Sequence, residues 1–340
     1  MNPIIVGNEG IKTYARRVSS EERLLGAYII EGAPGRGRLL MARYMCACAL
    51  CKKKRGDVPC LECIDCRRIF DGEHPDVIEL APEEDKKQIS VDAVREINAA
   101  SHIVPAEGDR RFFIIKPADA MTVQAQNALL KTIEEPSQGV TFILAVSDIT
   151  AVLPTVLSRC FRLKTEAVEI KTMTALLREK YPEKSADELE KIALLSGGSV
   201  GSALKLAEDE EFAALRKRAE DFTEKCTRGA GLAELFDTFG DNSDKNGVLT
   251  LMAMLKLSFR DVIVSRFSGM TGFTPMFWSD TERLYSLCGI PDEKYLLKLF
   301  SKLEELLTPS NKNVNVSIAV TAFILCAAGF DSDIASREYH

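Results

Sequence analysis

Short apolar runs of strand length alternate with helical segments over the first half of the chain. Four runs rich in β-branched or aromatic residues have the length of buried strands: Gly26–Ile30, Asp76–Leu80, Arg111–Ile115 and Val140–Val146. Between the last two, apolar residues recur at helical spacing until Pro136 ends the segment. Continuously apolar strands that alternate with helices are typical of a mostly parallel sheet, so we expect an α/β fold here.

The rest of the chain shows only the spacing of helices, with a break at residues 196–199. Residues 294–307 carry an amphipathic stripe, which we interpret as core packing. The pattern predicts three domains: an α/β domain over residues 1–165, a small helical domain over 166–208 and a larger helical domain over 209–340.

Composition and charge narrow the possible classes of protein. With 46% hydrophobic residues in 340, the chain has enough apolar material for a core and is not a disordered protein. The formal net charge of −6 argues against a freestanding nucleic-acid binder, because phosphate contacts need a cationic surface. The N-terminus does not resemble a signal peptide. The longest apolar run, Val316–Ala328, is shorter than the ~20 residues of a spanning helix. We expect a cytoplasmic protein without membrane contact.

Six of the ten cysteines lie between residues 46 and 66. Four have spacings that can supply thiolates to one tetrahedral Zn²⁺: Cys51, Cys60, Cys63 and Cys66. In a cytoplasmic protein such a cluster indicates metal rather than disulfides. The sequence therefore predicts a structural zinc module at about residues 46–70, with His74 as an alternative ligand. Cys46 and Cys48, on the preceding helical segment, are expected to be buried.

A glycine-rich loop follows the first predicted strand and precedes a helix. Gly32, Gly35 and Gly37 lie in a stretch that has the glycine spacing of the phosphate loop G-x-x-x-x-G-K-[ST]. Arg38 replaces the lysine that reaches the phosphates, and Leu39 replaces the hydroxyl that holds Mg²⁺. Taken alone, the loop is equally compatible with a turn that needs its glycines and with a degenerate phosphate loop.

The strand Arg111–Ile115 ends in Lys116-Pro117, where nucleotide hydrolases carry acidic Mg²⁺ ligands. Asp119 lies too far along the chain to replace them with confidence. Two independent losses of metal-holding groups indicate a nucleotide-hydrolase fold that does not hydrolyse nucleotide.

Several motifs together resemble a known family. In chain order they are the glycine loop, the four-cysteine module, Ala128–Pro136 (ALLKTIEEP), Leu157–Cys160 (LSRC), Gly198–Leu204 and a late helix around Asn313–Ala328. This order resembles the clamp-loader subunits of bacterial DNA polymerase III, in the AAA+ superfamily, over essentially the whole chain. The resemblance implies an N-terminal AAA+ domain with an inserted zinc module, then a helical lid and a helical collar.

Within these subunits the chain resembles the delta-prime family, whose members do not hydrolyse ATP. The positions at which the ATPase subunits carry Lys-Thr, Asp-Glu and a phosphate-sensing arginine are here Arg38-Leu39, Lys116-Pro117 and Gly201. The resemblance implies that Arg159 reaches the ATP of a neighbouring subunit, while Ser158 and Cys160 shape its loop. This chain would then have no catalytic activity of its own.

The same resemblance implies a set of partners. They are ATPase subunits of the gamma or tau type and the delta subunit, which associate through the collar, and the sliding clamp and primed DNA within the assembly.

Two other functions remain open at this point. The first is an active AAA+ ATPase whose loop tolerates Arg38, which predicts Mg²⁺-dependent turnover by the isolated chain. The second is a nucleic-acid-binding protein that uses the basic residues 52–55 of the zinc module, which predicts salt-sensitive DNA binding.

Overall fold

A computed structural model of the chain describes residues 4–83, 86–240, 245–268, 273–288, 293–307 and 316–330. These residues form two compact units. The first contains the described residues up to 173 together with 197–202, and the second contains 174–196 and the described residues from 203 onward. The boundaries near residues 165 and 208, with separate lid and collar domains, stay predictions. Parts of the predicted range 209–340 lie outside the described residues, as do residues 313–315 of the late helix.

The first unit is built on a sheet of five parallel strands: β1 (Ala27–Glu31), β2 (Val77–Leu80), β3 (Arg111–Ile115), β4 (Val140–Val146) and β5 (Phe161–Lys164). Their order across the sheet is β2-β3-β4-β1-β5. Strands β3 and β4 are buried along their whole length, which is why their residues are apolar except for the buried Arg111 and Thr141. The four predicted strands are confirmed to within one residue at each end. Strand β5 was not predicted. It is an edge strand in which Leu163 alone is buried, so it lacks an apolar pattern.

Helices cover both faces of this sheet. One face carries α1 (Glu9–Ser20), α2 (Arg38–Leu50) and α3 (Ile64–Asp71), and the other carries α4 (Val91–Ala100), α5 (Val123–Glu134) and α6 (Pro154–Leu157). Successive strand residues point to opposite faces, so Phe112 packs in the first layer and Phe113 in the second. The predicted parallel α/β architecture is confirmed.

The second unit contains helices and loops in its described residues. Its helices, including two that begin in the first unit, are α7 (Ile170–Lys180), α8 (Ala186–Leu195), α9 (Val200–Glu208), α10 (Phe212–Thr227), α11 (Leu232–Phe239), α12 (Lys245–Phe267), α13 (Thr281–Leu287), α14 (Glu293–Leu307) and α15 (Val316–Ala327). Phe222 packs edge-on to Phe239 and stacks on Phe323, with ring centroids 5.7 and 5.8 Å away. The amphipathic stripe predicted over residues 294–307 forms the buried face of α14. Among the described helices, none is long and apolar enough to cross a membrane.

A buried ion pair fixes the loop between α4 and β3. The carboxylate of Asp76 is completely buried and accepts hydrogen bonds from the backbone N–H groups of Ala106 (2.6 Å) and Glu107 (2.8 Å). Its partner is the Arg111 guanidinium, 3.3 Å away. Burial opposes ionisation of Asp76, but these hydrogen bonds and the guanidinium outweigh it and hold the pKa of the carboxyl below its usual range.

We predict that Asp76→Asn destabilises the α/β unit by about 3–5 kcal/mol, because it leaves the buried Arg111 unpaired. Since the folded-state pKa of Asp76 lies below the unfolded value near 4, its ionic stabilisation is complete above about pH 4 and is lost as the pH falls through the folded pKa. Denaturant unfolding at several pH values should show a flatter acid limb for the variant. The exposed control Asp109→Asn should stay within about 0.5 kcal/mol of the wild type. Equal stability of the two variants would contradict the prediction.

Candidate functional site

The four cysteines predicted as metal ligands lie together where α3 begins. Their sulfur atoms are all within 4.8 Å of one another. Cys51 follows α2, Cys63 is the N-cap of α3 and Cys66 lies in its first turn. The Sγ atom of Cys51 is 3.6 Å from that of Cys60 and 3.9 Å from that of Cys63. In a tetrahedral site with Zn–S bonds of about 2.3 Å, the sulfur atoms stand about 3.8 Å apart. The cluster therefore has the size of a zinc site.

Backbone N–H groups surround the sulfur atoms. Those of Cys60, Cys63 and Cys66 point at the sulfurs of Cys51, Cys60 and Cys63, at 3.4, 3.3 and 3.5 Å. Burial opposes ionisation of Cys60, but the N–H groups of Glu62 and Cys63 outweigh it and lower its pKa to about 6. At Cys66, burial and the neighbouring sulfurs raise the pKa. A bound cation stabilises neighbouring thiolates that would otherwise oppose one another's ionisation, so the donor set fits Zn²⁺.

His74, the alternative ligand, groups with carboxylates instead of with the sulfur cluster. Its ring nitrogen and the oxygens of Asp65 and Glu107 lie within 4.8 Å of one another, a separation that a metal could bridge. However, Nδ1 accepts the backbone N–H of Asp76 (3.1 Å), so the neutral ring carries its proton on Nε2 and has no lone pair for a metal there. Burial lowers the pKa of His74 and keeps it neutral. Arg68 on α3 lies 3.1 Å from Glu107, so we interpret this group as a set of polar contacts that holds α3 against the loop before β3.

The glycine loop connects β1 to α2 without the groups that hold Mg²⁺. Gly35 and Gly37 adopt left-handed φ values of 76° and 82°, and Gly37 caps α2. The first helical residue is Arg38, whose Nη1 is buried without a hydrogen-bond partner among the described residues. Leu39 packs against the core layer of α1–α3 and offers no oxygen to a cation.

Residues 197–202 pack on this loop. The backbone N–H of Gly201 donates to the carbonyl oxygen of Gly35 (3.0 Å), and the Ser199 hydroxyl donates to that of Pro34 (3.3 Å). A Cβ atom at position 201 would lie 3.0 Å from Cα of Gly35, which is closer than ordinary contacts allow. Any residue larger than glycine at this position would therefore force the loop backbone to shift.

Lys116, at the end of β3, forms an ion pair with Glu79. The Lys116 ammonium contacts the Glu79 carboxylate, which also accepts hydrogen bonds of 2.6 and 2.9 Å from Arg43 on α2. Burial opposes ionisation of Glu79, but Arg43 and Lys116 outweigh it and lower its pKa. Asp119 accepts the backbone N–H of Ser147 (3.0 Å) and so ties its own turn to the end of β4.

Arg159 lies in the turn that follows α6. Its Nε and Nη2 atoms donate to the two carboxylate oxygens of Glu134, at 3.1 and 3.2 Å, and Nη1 donates to the carbonyl oxygen of Thr155 (3.0 Å). Ser158 also donates to Thr155 (3.1 Å), which closes the turn. Cys160 is partly buried against the α4–α6 layer, and burial raises its pKa to about 12. Its thiol therefore has a packing role.

Sequence reasoning missed Gln126, a buried residue of α5 that supports this turn. Its amide oxygen accepts the backbone N–H of Leu153 (2.8 Å), and its amide nitrogen donates to the carbonyl oxygens of Ala151 (3.0 Å) and Met121 (3.3 Å). The available signal was a polar side chain on the apolar stripe of a predicted helix.

Comparisons with known proteins bear on the first half of the chain. Residues 7–169 match a family model described as DNA polymerase III, delta subunit. The DNA polymerase III subunit delta' of Pseudomonas aeruginosa is 35% identical over 180 residues, which cover 53% of this chain and 55% of that protein. The corresponding subunit of Escherichia coli is 34% identical over 188 residues, which cover 55% and 56%. The chain thus spans about half the length of the curated relatives it matches.

Matches also include a gamma subunit and a solved structure. The DNA polymerase III subunit gamma of Buchnera aphidicola is 30% identical over 208 residues, which cover 60% of this chain and 57% of that protein. A gamma subunit-related protein from Thermotoga maritima superposes with a TM-score of 0.46 and 20% identity, covering 94% of this chain and 98% of that chain. The family model over residues 7–169 and the delta' relatives together confirm the resemblance to delta-prime subunits.

We predict that Gly201→Ala lowers the stability of the α/β unit by about 1 kcal/mol through its collision with Gly35. Alanine has a higher helix propensity than glycine by about 0.8–1 kcal/mol, so propensity alone would give the opposite sign. Gly10→Ala is the matched control, since Gly10 is helical and exposed and its Cβ would make an ordinary contact at 3.8 Å. Thermal unfolding should show a gain for the control and a loss for Gly201→Ala, and a gain for both would exclude the close contact.

Proposed function

We propose that this chain is a non-hydrolysing, delta-prime-type subunit of a bacterial DNA polymerase III clamp loader. It acts as a stator and donates Arg159 in trans to ATP bound by a neighbouring ATPase subunit. The assembled loader places the sliding clamp on primed DNA during replication. Matches to delta-prime and gamma relatives support this assignment.

One observation carries the proposal: three of the groups that an ATP site needs here are replaced by residues that pack or pair within this chain. Leu39 packs against the core layer of α1–α3, Lys116 is bound to Glu79, and the backbone of Gly201 lies against the glycine loop. A site without a Mg²⁺ ligand cannot orient or activate the terminal phosphate. The same observation counts against an active ATPase.

Arg159 has the chemistry for a role on another subunit's nucleotide. A guanidinium stays charged at any physiological pH and offers a planar set of N–H donors to phosphate oxygens. Supplied in trans, such a group contributes about 10³–10⁵ in rate in phosphoryl-transfer enzymes. The side chain is 33% exposed on a surface turn, so it is within reach of a partner.

The zinc module is proposed to be structural. Cys51, Cys60, Cys63 and Cys66 provide four thiolates to Zn²⁺, which leaves no open position for a substrate or water. The metal then supplies folding energy by joining α2 to α3 across a short loop.

The basic residues of the module give little support to a nucleic-acid-binding function. Lys52 lies 3.7 Å from Asp65, and Arg55 lies 3.7 Å from Glu62, so carboxylates within the module balance part of its charge. The proposed partners are instead ATPase subunits of the gamma or tau type and the delta subunit, bound through the helical region of residues 209–340. The clamp and primed DNA are met within that cytoplasmic assembly.

We predict that the purified chain contains one equivalent of zinc. Cys63→Ser should lose the metal and unfold the module while the second unit stays helical, because a structural site needs all four ligands. Cys48→Ala is the control, since Cys48 is buried outside the sulfur cluster and its loss should leave the zinc in place. Elemental analysis measures the content, and less than half an equivalent in wild-type protein prepared without chelators contradicts the prediction.

We predict that Arg159→Ala leaves the isolated chain folded, with a change in stability of at most about 1 kcal/mol, because its ion pair is solvent-exposed. In a reconstituted loader, clamp- and DNA-stimulated ATP hydrolysis should fall only in part, since this chain borders one of several ATP sites. The isolated chain itself should show no turnover with Mg²⁺ and ATP.

Arg162→Ala is the matched control for this experiment. Arg162 lies nearby on β5, is 51% exposed and pairs with Glu31 at 2.8 Å. It should leave hydrolysis and clamp loading unchanged. Unchanged hydrolysis and loading in a fully assembled Arg159→Ala complex would exclude the role in trans, and a large loss of stability in the isolated variant would assign Arg159 to its own turn.

A further inference from the structure

The guanidinium of Arg159 is already engaged within its own chain. Its Nε/Nη2 edge makes two parallel hydrogen bonds to Glu134, of 3.1 and 3.2 Å, and Nη1 is bonded to Thr155. A paired edge of this kind is the one with which arginine binds a carboxylate or a phosphate through two bonds. In this conformation that edge is occupied.

The carboxylate of Glu134 also cancels the charge of Arg159. A phosphate approaching the pair meets a negative group about as close as the positive one, so it gains little electrostatic stabilisation. To act on a neighbour's nucleotide, Arg159 must therefore separate from Glu134 or carry it along at a cost in affinity.

Separation is easy at this position. The two side chains are 33% and 55% exposed, and exposed ion pairs are weak and screened by salt. Glu134 is the last residue of α5, where the helix dipole disfavours a carboxylate, and this makes Arg159 a useful local partner. Once released, Glu134 remains in water, with Lys131 one turn back on the same helix.

We infer that Glu134 is a latch for Arg159, holding the guanidinium ordered and neutralised in the free subunit until the phosphates of a neighbouring subunit's ATP displace it. This inference rests on the proposed role of Arg159 in trans. Only the fraction of subunits in which Arg159 has separated from Glu134 can engage the nucleotide. The latch therefore raises the ATP concentration needed to fill the shared site, by a factor equal to the inverse of that fraction.

The test compares Glu134→Gln with Glu135→Gln in a reconstituted loader. Glutamine keeps the shape of the side chain and removes its charge, and Glu135 is the adjacent exposed carboxylate. The quantity measured is the Arg159-dependent part of ATP hydrolysis, obtained by subtracting the rate of an Arg159→Ala loader. Glu134→Gln should lower the KM for ATP of this part by about two- to fivefold, the range open to an exposed pair, and leave kcat unchanged. Glu135→Gln should change neither.

A second readout uses the isolated full chain without nucleotide. The Nε–H resonance of Arg159, assigned by its loss in Arg159→Lys, should shift in Glu134→Gln and in high salt, and stay in place in Glu135→Gln. The latch is overturned if this resonance does not shift in Glu134→Gln. It is also overturned if the KM for ATP in that variant is unchanged or raised. If Arg159→Ala leaves the loader's hydrolysis unchanged, the proposed function fails and the latch fails with it. If Arg159→Ala is impaired while the two glutamine variants behave alike, the latch alone is wrong.

Discussion

The carboxylate of Glu79 lies at the centre of an ion-pair network that joins several elements of the α/β unit. It binds Lys116 at the end of β3 and Arg43 on α2, and Arg43 also donates to the carbonyl oxygen of Phe70 near the end of α3. One largely buried anion thus holds α2 and the end of β3 together, and its partner Arg43 extends the network to α3, the helix of the cysteine cluster. Because buried charges are costly when unpaired, α2 and the end of β3 resist moving apart.

The fold was predictable where burial imposes a strong pattern. Strands β3 and β4 are covered on both faces, so their sequences are predominantly apolar and can be recognised as strands. Strand β5 lies at the sheet edge and exposes Arg162 and Lys164, so its pattern resembles that of a loop. Domain boundaries were harder. The sequence shows a break at residues 196–199, but it does not show that residues 197–202 return to the first unit.

The site was predictable where chemistry depends on local spacing. The cysteines are close along the chain, so their spacing alone indicates a tetrahedral cluster. The pair between Arg159 and Glu134 joins residues 25 positions apart. Gly201 and Gly35 are further apart still, and their contact depends on which helix packs on which loop. Such contacts follow from tertiary packing, which no single-sequence pattern encodes.

The contact between Gly201 and Gly35 also restricts how this chain can change over evolutionary time. Any side chain at position 201 brings its Cβ within 3.0 Å of Cα of Gly35, so an arginine there would require the loop backbone to shift. Restoring a hydroxyl at position 39 would place a polar group against an apolar core with no metal to bind. Each of these two substitutions, made alone, therefore costs packing or solvation before it can contribute to a nucleotide site. Evolutionary change at positions 39 and 201 is thus constrained by the neighbours of these residues in the fold, and it requires coordinated changes in the glycine loop.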